Sequence, residues 1–432
     1  MIIDPGGTSG TSVEDFTPSG VSSISQRRLS GISPRPGSIF GVRAIPGWEE
    51  ALRRGRKRAR KGRFLRGAGY AAAGVLLVLA ALAGPSYVRA ITAPGNTSLA
   101  MRTVEWVRNH HGGFLVAKAE DVWYTLNQPP RGGPTLHRLP RRAPTRLVSS
   151  GSPVGTAADL TRPAGIKPLM HPALPGEGVW RPAGQVFGGR APILETTFRP
   201  DPSHPTVVAG VAWIDTRLVR LELIPGRKQP HSRLGPGEGE VPAAQRSELL
   251  ATFNSGFKTQ DGHGGFISRG RVYVRPRSGL GTIAVYKNGR VDVGSWGKEI
   301  RPSHNIEYLR QNLPLIVDHA RPTRRTLDPT LWGTTVGNTV YVWRSAVGVD
   351  AHGGLIYAAA DGVTTRGLAD IMVRAGAVRA MQLDINPYWV DFFTYDAPGG
   401  KGPSKLLPTM LRPNDRYLTP DDRDFFAVLR RR

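Results

Sequence analysis

The stretch from Arg344 to Ile385 limits what this chain can fold into more than any other. "SAVGVD", residues 345–350, runs into "AHGG" and returns as "LIYAAADG", residues 355–362. Two apolar runs around a Gly-rich turn predict a β-hairpin. Pairing outward from His352, read as a solvated loop residue, sets Arg344 opposite Ala360 or Asp361. In "TTRGLADIMVRAGAV", Leu368, Ile371, Met372 and Ala375 follow the i, i+3, i+4, i+7 spacing of one helix face. Thr364 or Thr365 can cap its start and Gly376 can end it. "RAMQLDI" then alternates as a strand, with Met381, Leu383 and Ile385 on one face and Gln382 and Asp384 on the other. Strand, helix, strand predicts a βαβ unit with parallel strands and a right-handed crossover.

Asp361 ends the first of those strands and Asp384 lies near the end of the second. Were the strands neighbours, about 4.8 Å apart, both carboxylates would leave the sheet at one edge, with Arg344 arriving through the hairpin. Ligand crevices in parallel sheets lie at that edge. Two acids and an arginine sharing one rim would make a site. The plainer reading stays open: Asp before Gly is a favoured turn pair, and Arg344 can serve only to neutralise Asp361.

Upstream, "TVVAGVAWID" and "RLVRLELI" read as a hairpin turning near Asp215 and Thr216, and "LLATFNSGFK" as a strand breaking at Asn254. "RVYVRP", "GTIAVYKNGRVDVGSW" and "GNTVYVWRSAVGVD" add strands, the second with an Asn288-Gly289 hairpin turn. Residues 127–205, dense in Pro, Gly and Arg, predict a linker or an irregular wrap. Before them, residues 97–112 and 113–126 read as two helices, and the pair His110–His111 as a solvated helix end. The predicted class is α+β: a mixed sheet with hairpins and a C-terminal βαβ unit in a domain over 206–432, preceded by a linker region over 89–205.

The first 66 residues read as a disordered tail ending in "RRGRKRARKGRFLR", nine basic residues without an acid. Residues 67–88 follow without a charge, about 33 Å of helix at 1.5 Å per residue, and predict one transmembrane helix. The positive-inside rule puts the tail in the cytoplasm and the main domain outside the cell. Subtracting the nine basic residues from the net charge of +25 leaves +16. Most of that charge lies on the exported side, where an anionic envelope polymer is a better partner than nucleic acid. With no cysteine, the chain has neither disulfides nor a thiolate metal site. His263, His304 and His319 are too scattered for a metal site, and no cofactor is expected.

The segment from "RSAVGVD" to "MQLD" resembles the phosphodiester glycosidase family. It matches that family's Arg-Thr-Ala-x-Gly strand at Arg344–Gly348, its Asp-Gly strand end at Asp361-Gly362, and its helix start at Gly367-Leu368. The last element, Asn-Leu-Asp in the family, is Gln382-Leu383-Asp384 here. "FNSGFK" is similar to the family's Asn-Gly-Gly-Phe-Phe turn through Asn254, Gly256 and Phe257, and "LPLIVD" to its Gly-Pro-Leu-Leu-Val strand. Together these span roughly residues 206–395. The resemblance implies hydrolysis of a sugar-1-phosphodiester. Asp361 and Asp384 would be the carboxylate pair that glycoside cleavage needs, and Arg344, Asn254 and Gly256 would bind substrate. One departure stands out. The family's Gly-rich loop after the aspartate is replaced by Ile385-Asn386-Pro387-Tyr388-Trp389. Pro387 has no N–H to offer a phosphate. Either Tyr388 or Trp389 stacks on a sugar instead, or both are core residues, or the activity is lost and a polysaccharide-binding protein remains.

Overall fold

The computed structural model describes residues 81–140 apart from Pro94 and Asn96, then 149–150, 161–332 and 341–431, with isolated positions between 50 and 74. Contacts divide the chain into residues 1–77 and 78–432. The expected tail lies almost wholly outside the described residues, as does most of the expected span, whose last residues belong to a helix over 81–92. Among the described residues no helix is long and apolar enough to cross a membrane.

The larger unit is α+β with strands dominant. Its largest sheet runs in the order 321–322, 315–318, 379–382, 342–349, 355–363, 209–214, 193–198, 181–182. A five-stranded sheet runs 401–405, 392–397, 249–254, 425–430, 219–224, and another 291–295, 281–286, 306–311, 266–268, 271–274. One hydrophobic core draws on all three sheets through Val347, Tyr357, Phe253, Phe426, Ile283 and Val293. A second lies under the helix Thr365–Arg374, whose Leu368, Ile371 and Met372 are fully buried against the large sheet. Each such side chain stabilises the fold by roughly 1.5–3 kcal/mol. The Thr364 hydroxyl caps this helix, accepting from the Gly367 N–H at 2.9 Å, and Gly376 ends it with φ +97°.

The hairpin and its register are as expected: Val342–Val349 pairs with Leu355–Val363, and Arg344 faces Ala360. Asp350 locks the turn, its carboxylate accepting from the His352 and Gly354 N–H groups and from the Trp213 indole, each at 2.8 Å. A Cβ on Gly354 would collide with both that indole and that carboxylate. Gly354→Ala is therefore expected to destabilise the domain by about 1–3 kcal/mol, read as a shift in urea midpoint.

Three expectations are corrected. The strands Leu355–Val363 and Arg379–Gln382 run parallel to each other but are not neighbours, because Val342–Val349 lies between them and pairs antiparallel with both. Their backbones are thus two ladder spacings apart, roughly 10 Å. The stretches around Ala209–Ile214 and Val219–Ile224 do not form a hairpin with each other; they diverge into different sheets, each finding an apolar partner surface elsewhere. Finally, the Pro/Gly-rich region is not all irregular: Ile193–Phe198 pairs with Ala209–Ile214 and extends the large sheet.

Candidate active site

The end of the strand Arg379–Gln382 is pinned from two sides. Leu383 N–H donates to Ser345 O at 2.8 Å and Ser345 N–H to Asp384 O at 2.9 Å. The Asn312 amide donates to Gln382 O and Leu383 O at 2.8 and 2.6 Å. The chain then turns, Asn386 accepting the Tyr388 N–H on its side chain and the Trp389 N–H on its backbone, both at 2.9 Å. Asp384 is held at this break and only 4% exposed. Its Oδ1 accepts the Ile385 N–H at 2.8 Å, and Arg423 Nη2 donates to its Oδ2 at 3.1 Å. Burial pushes the Asp384 carboxyl above the usual carboxylate range, against the opposing pull of Arg423 and of the Ile385 and Asn386 amides.

Arg423 reaches this point from "DDRD", the run before the last strand. Its guanidinium also donates to Gly256 O at 2.9 Å, tying the Asn254 turn to Asp384. Beneath it lies a buried ionic network. Asp421 accepts the Arg423 N–H at 2.9 Å, Arg412 Nη2 at 2.5 Å and Arg416 Nε at 2.9 Å. Arg416 also pairs with Asp391, which accepts the Tyr417 hydroxyl at 2.7 Å. Burial alone would lower the Arg416 pKa, but Asp391 and Asp421 outweigh it and push it well above the ordinary arginine value. The Trp389 ring has the guanidinium carbons of Arg412, Arg416 and Arg423 at 5.6, 5.3 and 4.8 Å, an arrangement that fixes the ring by cation–π attraction.

Asp384 opens on a cavity of about 810 Å³ whose walls include Trp389, Arg423, Lys258 and Asn386. The turn Arg108–Gly112 after the helix Leu99–Val107 and the helix Gly113–Leu126 that follows it bring Arg108 and Glu120 to the same cavity. Arg108 pairs with Glu120 at 2.5 Å, and Asn386 donates to Glu120 at 3.4 Å. Between the helices the histidine pair is exposed, as expected, and sits in a kink: His111 takes φ +63°, and His110 stacks on Trp106 at 4.4 Å.

The other residues expected at a site lie elsewhere. Arg344 is buried, donating to Gln382 Oε1 at 2.8 Å and Val363 O at 3.0 Å. Burial pushes its pKa down to about 10, against the pull of Tyr124. Asn254 is also buried. Its Oδ1 accepts the Tyr357 hydroxyl at 2.8 Å and the Asp391 N–H at 3.2 Å, while its Nδ2 donates to Ser255 O and Ser345 Oγ. Gly256 takes part through its backbone oxygen, and its bare Cα leaves room for Asn312. Tyr388 is half-buried, while Trp389 lines the cavity.

Asp361 stands exposed at the rim of a different cavity of about 270 Å³, beside Val208 and Leu407, and the two cavities share no lining residue. Though exposed, Asp361 is crowded enough that burial raises its pKa, against the Gly362 N–H and the Trp343 side chain. Tyr124, buried on the helix between the two places, feels both Glu120 and Asp361, and its hydroxyl is pushed upward, chiefly by burial. The structure thus brings Asp384, Gly256 and Trp389 together and leaves Arg344, Asn254 and Asp361 outside that cavity. Sequence reasoning missed Arg423, Arg108 and Asn386. Lys258 sat within the quoted "FNSGFK" and Asn386 within the loop that replaces the family's glycines, and these were the signals at hand.

The phosphodiester glycosidase family profile matches residues 247–384. No curated protein matches the chain. Among solved structures, one similar chain is the catalytic domain of zebrafish N-acetylglucosamine-1-phosphodiester alpha-N-acetylglucosaminidase, auto-inhibited by its pro-peptide. It is 18% identical with a TM-score of 0.38, over 59% of this chain and 88% of that one. A hypothetical protein from Synechocystis is 15% identical with a TM-score of 0.32, over 58% and 64% of the two chains. A protein from Burkholderia pseudomallei is 14% identical with a TM-score of 0.32, over 53% and 75%. The likeness to phosphodiester glycosidases, a family of enzymes, is thus shown for residues 247–384, from the strand before the Asn254 turn through Asp384.

Proposed function

We propose that the chain is a hydrolase that cleaves a sugar-1-phosphodiester at its glycosidic bond, with Asp384 as the reacting carboxylate. The observation that carries this reading is the Arg423–Asp384 contact at 3.1 Å on the wall of an 810 Å³ cavity that also presents Lys258, Arg108 and Trp389. The phosphodiester sits against Lys258 and Arg423, whose charges offset the negative charge that grows on the leaving phosphate. Phosphate is a good leaving group, so strong acid assistance is unnecessary, and a second carboxylate beside Asp384 is not essential. Ionised Asp384 stabilises or attacks the anomeric carbon as positive charge develops there. The Trp389 ring, held by its arginines, offers an apolar wall to the sugar. Asp361 opens on a separate cavity and takes no direct part in bond cleavage in this reading. The domain works outside the cell, held by the apolar segment 67–88, on phosphate-linked glycans of the envelope. The basic excess of the chain supports such a partner.

The test is sugar release from a synthetic N-acetylglucosamine-1-phosphodiester. Turnover should fall as pH drops through the Asp384 pKa, because protonation removes the needed carboxylate. Since that pKa is raised, the acidic limb should lie above the ordinary value of about 3.9 for aspartate. Binding without any sugar release would favour a second reading, a non-catalytic protein that grips anionic polysaccharide. The replacement of the Gly-rich loop by Ile385–Trp389 is the observation on its side.

A further inference from the structure

A helix on the surface of a water-soluble domain buries its apolar stripe and shows its charges. The helix Gly113–Leu126 does the reverse. Its inward face buries Val116 and Tyr124 and lends Gly113, Ala117 and Glu120 to the Asp384 cavity. Its outward face carries Leu115, Ala119, Val122 and Leu126 at i, i+4, i+7 and i+11, with Phe114 and Trp123 beside them. Phe114 is 70% exposed, Leu115 58%, Val122 53%, Trp123 64% and Leu126 77%. Single apolar residues on a surface are ordinary, but a continuous face of them marks a contact. Among the exposed residues described on this helix Lys118 is the one charge. A lysine there can lay its methylenes along lipid and keep its ammonium among the headgroups.

The place of this helix in the chain says what covers its outward face. The uncharged run of residues 67–88 ends within the helix over 81–92. That helix is tied to Leu99–Val107. The Trp106 indole donates to Ser86 Oγ at 3.0 Å, the Tyr87 and Thr103 hydroxyls share a hydrogen bond at 3.0 Å, and the Arg102 guanidinium donates to Ile91 O at 2.6 Å. Leu99–Val107 leads through the Arg108–Gly112 turn straight into Gly113–Leu126. The exposed charges described between residues 81 and 140 are Arg89, Lys118, Arg131 and Arg138, all basic, which suits anionic headgroups. Trp and Phe on an apolar helix face are the residue types that settle at a membrane interface.

We propose that the outward face of Gly113–Leu126 lies in the surface of a lipid bilayer and holds the Asp384 cavity against the membrane. This takes the apolar run as membrane-bound, as above, and is independent of the reaction at Asp384. It adds more than a tether. A span alone leaves the domain free to turn, whereas this contact fixes which side of the domain meets the lipid.

The chain has no cysteine, so a single introduced cysteine carries a fluorophore without background. The full-length protein is reconstituted into vesicles of phosphatidylcholine and phosphatidylglycerol as L77C, V122C or V272C, each labelled with an environment-sensitive dye. Leu77 lies in the apolar run, and Val272 is exposed on the strand Arg271–Val274. Spin-labelled lipid should quench the V122C dye by about half, as for a residue sunk roughly 5–10 Å into the interface, and leave V272C bright. Adding L115E/L126E should return V122C to the V272C level, and quenching that survives both substitutions overturns the proposal. A V122C dye open to aqueous iodide and untouched by lipid also overturns it. So does one shielded from iodide but not quenched by lipid, which means that protein, a second copy or another segment of this chain, covers the face. The L77C dye separates these results from a failure of the anchor. V122C quenched with L77C unquenched keeps the docked helix and rejects the span, and the reverse keeps the span and rejects the docked helix. A protein that does not associate with the vesicles rejects both. An unchanged thermal melt of each labelled protein establishes that the fold is intact.

Discussion

Asp384→Asn should lower kcat by about 10³-fold with little change in KM, the loss expected when a group acting in the transition state is removed. The fold should survive. Asn keeps one oxygen for the Ile385 N–H and gives up the acceptor that faces Arg423, which its amide NH2 replaces. Burial already favours the uncharged carboxyl there, so a neutral side chain of the same shape meets no new desolvation cost. Arg423 loses its counter-charge but retains Gly256 O. The checks are steady-state kinetics on the sugar-1-phosphodiester and a thermal melt of the same preparation. A variant that folds and retains more than about a tenth of wild-type kcat shows that Asp384 does not carry the reaction.

Arg416→Met should cost about 3–5 kcal/mol of stability, the usual penalty for stranding one partner of a buried ion pair. In a domain of this size that lowers Tm by roughly 10 °C. Arg416 bridges two buried acids, and the two fare differently without it. Asp421 keeps Arg412 at 2.5 Å, whereas Asp391 keeps only the Tyr417 hydroxyl among the side-chain contacts described. Burial would then push the Asp391 carboxyl still higher. For an acid whose folded pKa is raised, the favourable protonated state is fully present below the unfolded value and is lost as pH rises through the folded one. The deficit of the variant relative to wild type should therefore be largest at neutral pH and shrink on acidification. A deficit independent of pH would mean that lost packing, not a stranded charge, is responsible. Trp389 would also lose one of its three arginine neighbours, so substrate KM should rise alongside.

Local features of the fold were legible because local rules produce them. The hairpin from Val342 to Val363, its register at Arg344, the capped helix after Thr364 and the turn at Gly289 each follow from residues within a few positions of one another. Asp384 at a strand end was legible for the same reason. Lateral order was not. Apolar strands such as Leu355–Val363 are buried on both faces, and nothing in their own residues says which neighbour they take. The expected pairing of Asp361 with Asp384 failed at that step. Val342–Val349 slots between the two strands, and the acids open on separate cavities. Arg344 and Asn254 were misleading for a related reason. A polar side chain at a strand end serves a ligand or a buried carbonyl equally well, and only packing chose the latter.

From its residues alone the chain determined an α+β domain, the elements that carry the phosphodiester glycosidase likeness, and an aspartate at the break after Leu383. Periodicity, caps and turn chemistry act over a few residues and need no knowledge of the rest. Tertiary structure decided that Asp384 would meet Arg423, Lys258 and Trp389 rather than Asp361 and Arg344. That choice depends on strand order and on a buried ionic network joining Asp391, Arg412, Arg416 and Asp421. Such contacts form between residues far apart in the chain, where the burial of charge and apolar surface outweighs any local preference.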